Sequence, residues 1–552
     1  MRYARLTISA FPRRIAACIA LGALVSGCTK VGPSAPGGRH TYTKPHVLRF
    51  AAASEIQQLN PLIDESQYEE YLASMTMAWL IKTDSKGDAT VPELATEIPS
   101  QQNRGISRDG KTITFHLRHG VVWSDGAPFD ADDVVWTTKQ VLNPKNNVVS
   151  TDGWDQITKI DEPDKYTVVY HVKAPYSSFA ITFFSTGGAN PAILPKHLLQ
   201  KYASLNNLAY NSLPVGIGPF KYKEWRRGDS ITLVANDRYF RGRPKLDEIV
   251  YRTVQDRNTV LQLLRTHDID LWVPISPHYF PTVKAIRGMA TLSLPSYTFD
   301  HLDFNLKNPV LRDPAVRQAL QAALDRKTII DKVQNGLYLL SETPVSPASF
   351  FHLDLPLVPY SIAKANALLD AAGWQRGSDG IRAKHGRRLA LEFATSTGSA
   401  DTDTEIELIR ASWKQLGVAF TVKHYQAQQF FAPAGSGGVM YGGKFDVVLF
   451  GWGSSPIADL SNLYACYRFP PNGQNDMRWC DQAATAAMDR AKYTYDPQAR
   501  RRDIDFVQRQ LALAVPTVVI DIRRELFGFN DDLKDFHPNP VSPFDDMMQT
   551  DI

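Results

Sequence analysis

The chain has 552 residues, 43% of them hydrophobic and 11% aromatic, with a formal charge of +4. That size and apolar content suffice for two or three lobes with cores of their own. The small charge, with no cluster of Lys and Arg interleaved with aromatic residues, argues against nucleic-acid binding.

The N-terminus carries the first signal. Arg2, Arg5, Arg13 and Arg14 precede the apolar run Ile15–Val25, which leads into Val25-Ser26-Gly27-Cys28. The run is too short for a permanent membrane span, and a basic flank, an apolar centre and small residues before a cysteine form the pattern of an export signal. The arrangement resembles a bacterial lipobox. Residues 1–27 are then a signal peptide, Cys28 is the lipidation site, and the body is extracytoplasmic (periplasmic) and anchored to a membrane by lipid. The alternative is an ordinary cleaved signal with a chance cysteine. Residues 28–46 read as a tether, because Gly32, Pro33, Ser34, Pro36, Gly37 and Gly38 cannot pack. Loss of residues 1–27 removes four arginines and no acids, leaving a formally neutral mature chain. No apolar run of roughly 18 residues follows Cys28, so the body is expected to be soluble.

Strands and helices mix along the body. Ile113, Phe115 and Leu117 alternate, and Asp125-Gly126 marks a turn before a helix starting near Ala131, with Val134, Val135, Val141 and Leu142 as its buried face. Tyr166, Val168, Tyr170 and Val172 alternate again. Asp313-Pro314 supplies an N-cap and a first-turn proline for a helix burying Val316, Ala319, Leu320, Ala323 and Leu324. Ser361 opens a helix with Ile362, Ala365, Leu369 and Ala372 inward, closed by Gly373. Leu389, Leu391 and Phe393 form a further strand, and Ile406, Ile409, Trp413 and Leu416 a helix stopped by Gly417. The body is therefore α/β, without repeats.

Catalytic patterns are missing. Gly438 to Lys444 has phosphate-loop spacing, but Phe445 occupies the place of the magnesium-binding hydroxyl and the next residues read as strand. No His-Glu-x-x-His or Gly-x-Ser-x-Gly stretch occurs, so neither an enzyme, a metal site nor a cofactor is expected. Cys466 and Cys480, fourteen residues apart in a Pro/Gly/Asn-rich segment, read as a disulfide in preference to a metal pair, with two buried free thiols as the alternative.

Ordered motifs then point to one family. Leu117 to Val134, with Trp123, Asp125-Gly126 and Asp133, resembles the signature of the extracytoplasmic solute-binding proteins of the peptide/nickel type, solute-binding family 5. So do Gly216-Ile-Gly218-Pro219-Phe220, Asn236 to Phe240, Phe304-Asn305, Val316 to Leu320 with Asp325-Arg326, and Ala372-Gly373-Trp374. The resemblance runs from about Val47 to Pro540 in family order.

It implies a two-lobed, periplasmic-binding-protein-like clamp with an extra small domain inserted in the first lobe. Lobe I would comprise 47–91, 213–297 and 518–552, the inserted domain 92–212, and lobe II 298–517. Crossing strands near Phe299–Phe304 and Val518–Ile522 would form the hinge. A monomer is expected to trap a peptide or other small solute and hand it to an inner-membrane ABC permease with its ATPase, a transport role without catalysis.

For the ligand, the resemblance points to the segment after Gly451: Trp452, Gly453, Ser454 and Ser455, with Asp459 beyond, and to Glu55 and Gln57 in the first lobe. Ser455 stands where peptide-binding relatives place an acid for the ligand's ammonium; Asp459 either replaces that acid or caps the following helix. Trp452 either stacks on ligand or fills the core beside the hinge. The stretch 394–403, where the dipeptide branch carries an arginine for the ligand's carboxylate, holds neither Arg nor Lys. Oligopeptides are thus expected over dipeptides. The Cys466–Cys480 loop resembles a disulfide loop of the dipeptide branch, which, with no His in the cleft segment, leans toward peptide and away from nickel. The alternatives are a same-fold surface lipoprotein acting as a sensor or interaction protein, which Thr29 after Cys28 suggests by pointing to an outer-membrane address, and a binder of a non-peptide solute.

Overall fold

A computed structural model describes residues 38–52, 55–64, 66–148, 151, 153–186 and 191–552; the segment 1–27 and Cys28 lie outside them. Contacts divide the chain into Met1–Tyr42 and Thr43–Ile552. In the described end of the first unit His40 stacks on Tyr42, ring centroids 4.8 Å apart.

In the second unit ten strands form one mixed sheet. Their order is Ala419–Tyr425, Ala390–Ser396, Val447–Gly453, Met289–Phe304, Thr517–Asn530, Leu271–Trp272, Val47–Ala52, Glu248–Thr253, Ser230–Ala235 and Phe220–Arg226. Val47–Ala52 lies between two parallel neighbours, and Ala390–Ser396 does likewise. Parallel strands are covered on both faces and need near-continuous apolar runs, and Leu48, Phe50, Ala51 and Ala52 are all fully buried.

The two central strands organise the molecule. Met289–Phe304 and Thr517–Asn530 pair antiparallel from Met289↔Asn530 to Pro295↔Arg524, break, and resume from Phe299↔Ile522 to Asp303↔Thr517. Across the break Ser296, Tyr297 and Thr298 oppose Arg523 alone. Surplus residues on one strand bend and twist a ladder, so the two halves of the sheet meet at a kink carried by two strands. Each half has its own core. Phe50, Leu59, Ile249 and Phe527 anchor one; Phe304, Leu320, Trp413 and Val447 anchor the other. A third core, around Trp123, Trp154, Tyr170 and Phe183, backs a three-stranded sheet of Thr112–His116, Thr167–Val172 and Ile157–Asp164. The fold is the two-lobed α/β clamp with a small additional domain.

The helix signals correspond to physical caps. Asp313 accepts from the Ala315 N–H at the head of Pro314–Ala322, and Ser361 from the Lys364 N–H at the head of Ile362–Ala371. Gly373 and Gly417 take the left-handed conformation that ends their helices, at φ of 82° and 77°. Leu142 requires a correction: it is 40% exposed. The helix Ala131–Val141 stops one residue earlier, so Leu142 is its C-cap and leaves the apolar face. Cys466 and Cys480 are joined as a disulfide, which tethers the turn after Ser461–Tyr464 to the head of the helix Gln482–Tyr493.

Candidate functional site

The kink between the two long strands floors a cavity of about 560 Å³. Gln67, Tyr68, Trp272, Pro274 and Ile275 line it from one half of the sheet; Gln334, Tyr338, Ser399, Thr402 and Glu405 face them from the other, with Thr298, Asp300, Arg523 and Glu525 on the strands themselves. Ser399 caps the helix Ala400–Lys414 by accepting from the Thr402 N–H, which brings the first turn of that helix to the cavity wall.

An ion pair spans the strands. Arg523 donates from Nε to Asp300 Oδ2 and from Nη2 to Oδ1, both at 2.7 Å. This two-pronged geometry is the strongest form of carboxylate pairing. Gly451 makes room for it, since a Cβ there would lie 2.6 Å from Arg523 Nη2 and 2.9 Å from Asp300 Oδ1. Burial opposes the Arg523 charge, but contact with Asp300 outweighs it and raises the pKa above the usual arginine range.

Further carboxyls surround the pair. Glu405 is 4% exposed and accepts from Gln334 Nε2 at 2.8 Å. Burial, and after it the Asp300 charge, push its pKa up to about 8. Glu525 is raised to about 7 by burial, with Arg523 pulling the other way. Asp521 is fully buried, and burial followed by Asp300 and Glu405 drives its pKa far up. Charged forms are disfavoured here because desolvation is incompletely repaid.

The residues singled out in the sequence take other positions. Glu55 Oε1 accepts from the Gly228 N–H at 3.1 Å and the Gln57 carbonyl from Arg227 Nη1 at 2.7 Å, so both hold the hairpin turn at Arg227–Gly228. Trp452 lies opposite Phe299, half-buried and edge-on to Phe450. Gly453 is exposed opposite Thr298, a lining residue. Ser454 donates from both N–H and hydroxyl to the Tyr297 carbonyl at 2.8 Å. The Ser455 carbonyl accepts from the Ala458 N–H. Asp459 Oδ1 accepts from the Ser461 N–H at 2.9 Å, just before the short helix Ser461–Tyr464 whose N-cap is Leu460, and its Oδ2 lies 3.9 Å from Lys492 Nζ. The Trp452–Ser455 segment thus runs beside the cavity, while the lining comes from elsewhere. Arg523 and Glu525 were missed, although Arg523-Arg524-Glu525 sets three consecutive charges into a long central strand whose flanking residues are mostly apolar.

The small domain meets the opposite half of the clamp away from the kink. Tyr495 Oη accepts from the Tyr176 N–H and donates to the Gly110 carbonyl, both at 3.0 Å. The Ser177 hydroxyl donates to the Lys492 carbonyl at 2.8 Å.

A family model described as bacterial extracellular solute-binding proteins, family 5, matches residues 89–474. The chain belongs to this family. Family 5 proteins are solute-binding components of transport systems, so this is a binding protein and not an enzyme. The chain is similar to the oligopeptide-binding protein AppA of Bacillus subtilis, 26% identical over 507 residues and covering 89% of each chain. The structure of that protein in complex with a nonapeptide aligns with a TM-score of 0.73 at 24% identity, over 91% of this chain and 98% of the other. NikA from Brucella suis in complex with Fe(III)-EDTA aligns with a TM-score of 0.78 at 22% identity, over 91% and 99%. Among the described residues of this family 5 protein no helix is long and apolar enough to cross a membrane.

Proposed function

We propose that this family 5 protein captures peptides in the cavity between its lobes and passes them to an inner-membrane ABC permease driven by an ATPase. The observation that carries the reading is the cavity itself, floored by the two central strands of the sheet and walled by both of its halves. A ligand there touches both walls only when the clamp is closed, so binding shifts the population toward the closed form. Similarity to AppA, whose solved complex holds a nonapeptide, supports a peptide.

Extended peptides fit better than free dipeptides. The ammonium-anchoring position is Ser455, Asp459 is engaged by the Ser461 N–H and by Lys492, and 394–403 lacks a cation. Arg523 is already chelated by Asp300. Each missing charged contact forfeits roughly 1.5–3 kcal/mol, which longer peptides offset by pairing along their backbone.

The ladder break supports a lobe boundary near 297–298 and a return crossing in the same strand pair, with lobe I taken as 47–91, 213–297 and 518–552, the small domain as 92–212 and lobe II as 298–517. Lipid on Cys28 would anchor the monomer at the membrane surface. Calorimetry with alanine peptides of increasing length tests the reading: affinity is expected to rise steeply beyond the dipeptide, and micromolar dipeptide binding would overturn the length preference.

A further inference from the structure

We propose that Arg257 receives a carboxylate of the bound ligand, so that the cleft selects ligands bearing a free C-terminus or an acidic side chain over neutral ones. This deepens the proposed function and rests on the cleft being the ligand site.

The topology brings Arg257 to the ligand face of its half of the sheet. Val47–Ala52 and Glu248–Thr253 run parallel, and the chain leaves the second of them for the helix Arg257–Arg265, whose first residue is Arg257. In the other half Ala390–Ser396 and Ala419–Tyr425 run parallel, and Ser399 and Thr402 follow the carboxyl end of the first. Open α/β sheets bind ligands beyond the carboxyl ends of their parallel strands. Arg257, Ser399 and Thr402 all line the cavity, so both halves present such ends to it.

Nothing local accounts for an arginine at this position. A cation in the first turn meets the positive end of the helix dipole, which is mildly unfavourable. The adjoining acid does not compensate, because Asp256 Oδ1 caps the helix, accepting from the Thr259 N–H at 2.8 Å and the Thr259 hydroxyl at 2.9 Å. Arg257 is exposed and makes no hydrogen bond, ion pair or ring contact among the described residues. The other two arginines of the lining are taken up. Arg523 is bonded twice to Asp300, and Arg524 donates to the Ser293 hydroxyl at 2.6 Å and the Ser293 carbonyl at 2.8 Å. Among the described residues that line the cavity, Arg257 is therefore the cation free to meet a ligand.

The acids of the wall do not claim it. Asp300 is held by Arg523, Glu405 accepts from Gln334 Nε2 at 2.8 Å, and Glu525 Oε2 is sealed from solvent. Asp401 is exposed in the first turn of the helix Ala400–Lys414, on the opposite wall. An entering anion is repelled from that wall and drawn to the one formed by Arg257, Tyr68 and Trp272, which fixes the direction of the ligand. A guanidinium presents a planar fork of N–H donors that matches a carboxylate with two parallel bonds, and the attraction strengthens when closure removes the water around it. The stretch 394–403 holds neither Arg nor Lys, so Arg257 supplies one charged anchor from the facing lobe. The ammonium end of a dipeptide stays without its acid, and the preference for longer peptides stands.

The carboxylate could be a peptide C-terminus, an acidic side chain or part of a non-peptide solute, and four probes separate these sources. They are acetyl-Ala-Gln-Ala-Ala with a free C-terminus, the same peptide amidated, acetyl-Ala-Glu-Ala-Ala-amide, and citrate. Binding to the full mature protein and to its Arg257→Gln and Arg257→Lys variants is measured by calorimetry at pH 7. Both variants should keep the wild-type melting temperature, since Arg257 has no partner among the described residues. At least one peptide carboxylate is expected to bind about 10- to 100-fold more tightly than the neutral amide. Arg257→Gln should erase that difference and leave the neutral peptide unchanged, while Arg257→Lys, a point charge without the fork, should keep part of it. A carboxylate preference that survives Arg257→Gln, or a loss shared equally by the neutral peptide, overturns the anchor and leaves the peptide reading standing. Equal binding of the three peptides to the wild-type protein does the same. Citrate binding that Arg257→Gln abolishes, while no peptide binds, supports the anchor and overturns the peptide reading. Failure of all four probes to bind overturns both.

Discussion

Asp300 and Arg523 lie on different strands, 223 residues apart in sequence, and meet at the break in the ladder between them. Arg523 is the single residue that faces the three-residue bulge Ser296–Thr298, so the pair closes the ribbon where backbone pairing fails. Arg523→Met should destabilise the empty protein by about 1–3 kcal/mol, less than loss of a fully buried partner because Arg523 is partly exposed. Urea unfolding measures this, and adding Asp300→Asn should recover part of the loss by removing the stranded charge.

Stability of the empty protein should fall as pH rises from about 5 to about 8. Glu405 and Glu525, raised to about 8 and about 7, bind protons in the folded state that the unfolded chain has released near the ordinary value of 4.5. Stability is therefore lost as pH climbs from the unfolded value through the folded one. Asp133, raised to about 6 mainly by burial, adds to the slope. Melting temperature against pH is the measurement, and Glu405→Gln should flatten the upper part of the curve.

Tyr495 closes the clamp at its far side. Tyr495→Phe removes both bonds of the hydroxyl, to Tyr176 and Gly110, and should favour the open form. A loss of about 1 kcal/mol or slightly more from the closed state lowers ligand affinity roughly tenfold. Small-angle scattering of the empty variant should show a larger radius of gyration.

The Cys466–Cys480 bond closes a short loop, worth up to about 3 kcal/mol. Thiol labelling of denatured, unreduced mature protein should find neither cysteine free. The double alanine variant should lose stability within that bound.

Local chemistry was legible in the sequence. Asp313-Pro314, Ser361 and Gly417 act within one or two turns of themselves, and the structure shows each in that role. Leu142 was misassigned because the apolar periodicity runs on to the C-cap, one residue past the end of the helix, where the side chain is 40% exposed. The cavity was not legible, since Asp300, Glu405 and Glu525 belong to elements whose proximity is set by tertiary pairing. Ser455 and Asp459 drew attention through resemblance, which locates a segment but not the direction of its side chains. The charge run Arg523–Glu525 inside a mostly apolar strand was the one sequence clue to the cleft.

The most direct test is mass spectrometry of the small molecules released when protein purified from its native envelope is denatured. Extended peptides of several lengths are the expected contents. A metal chelate or a sugar released in stoichiometric amount would contradict peptide capture in this cleft.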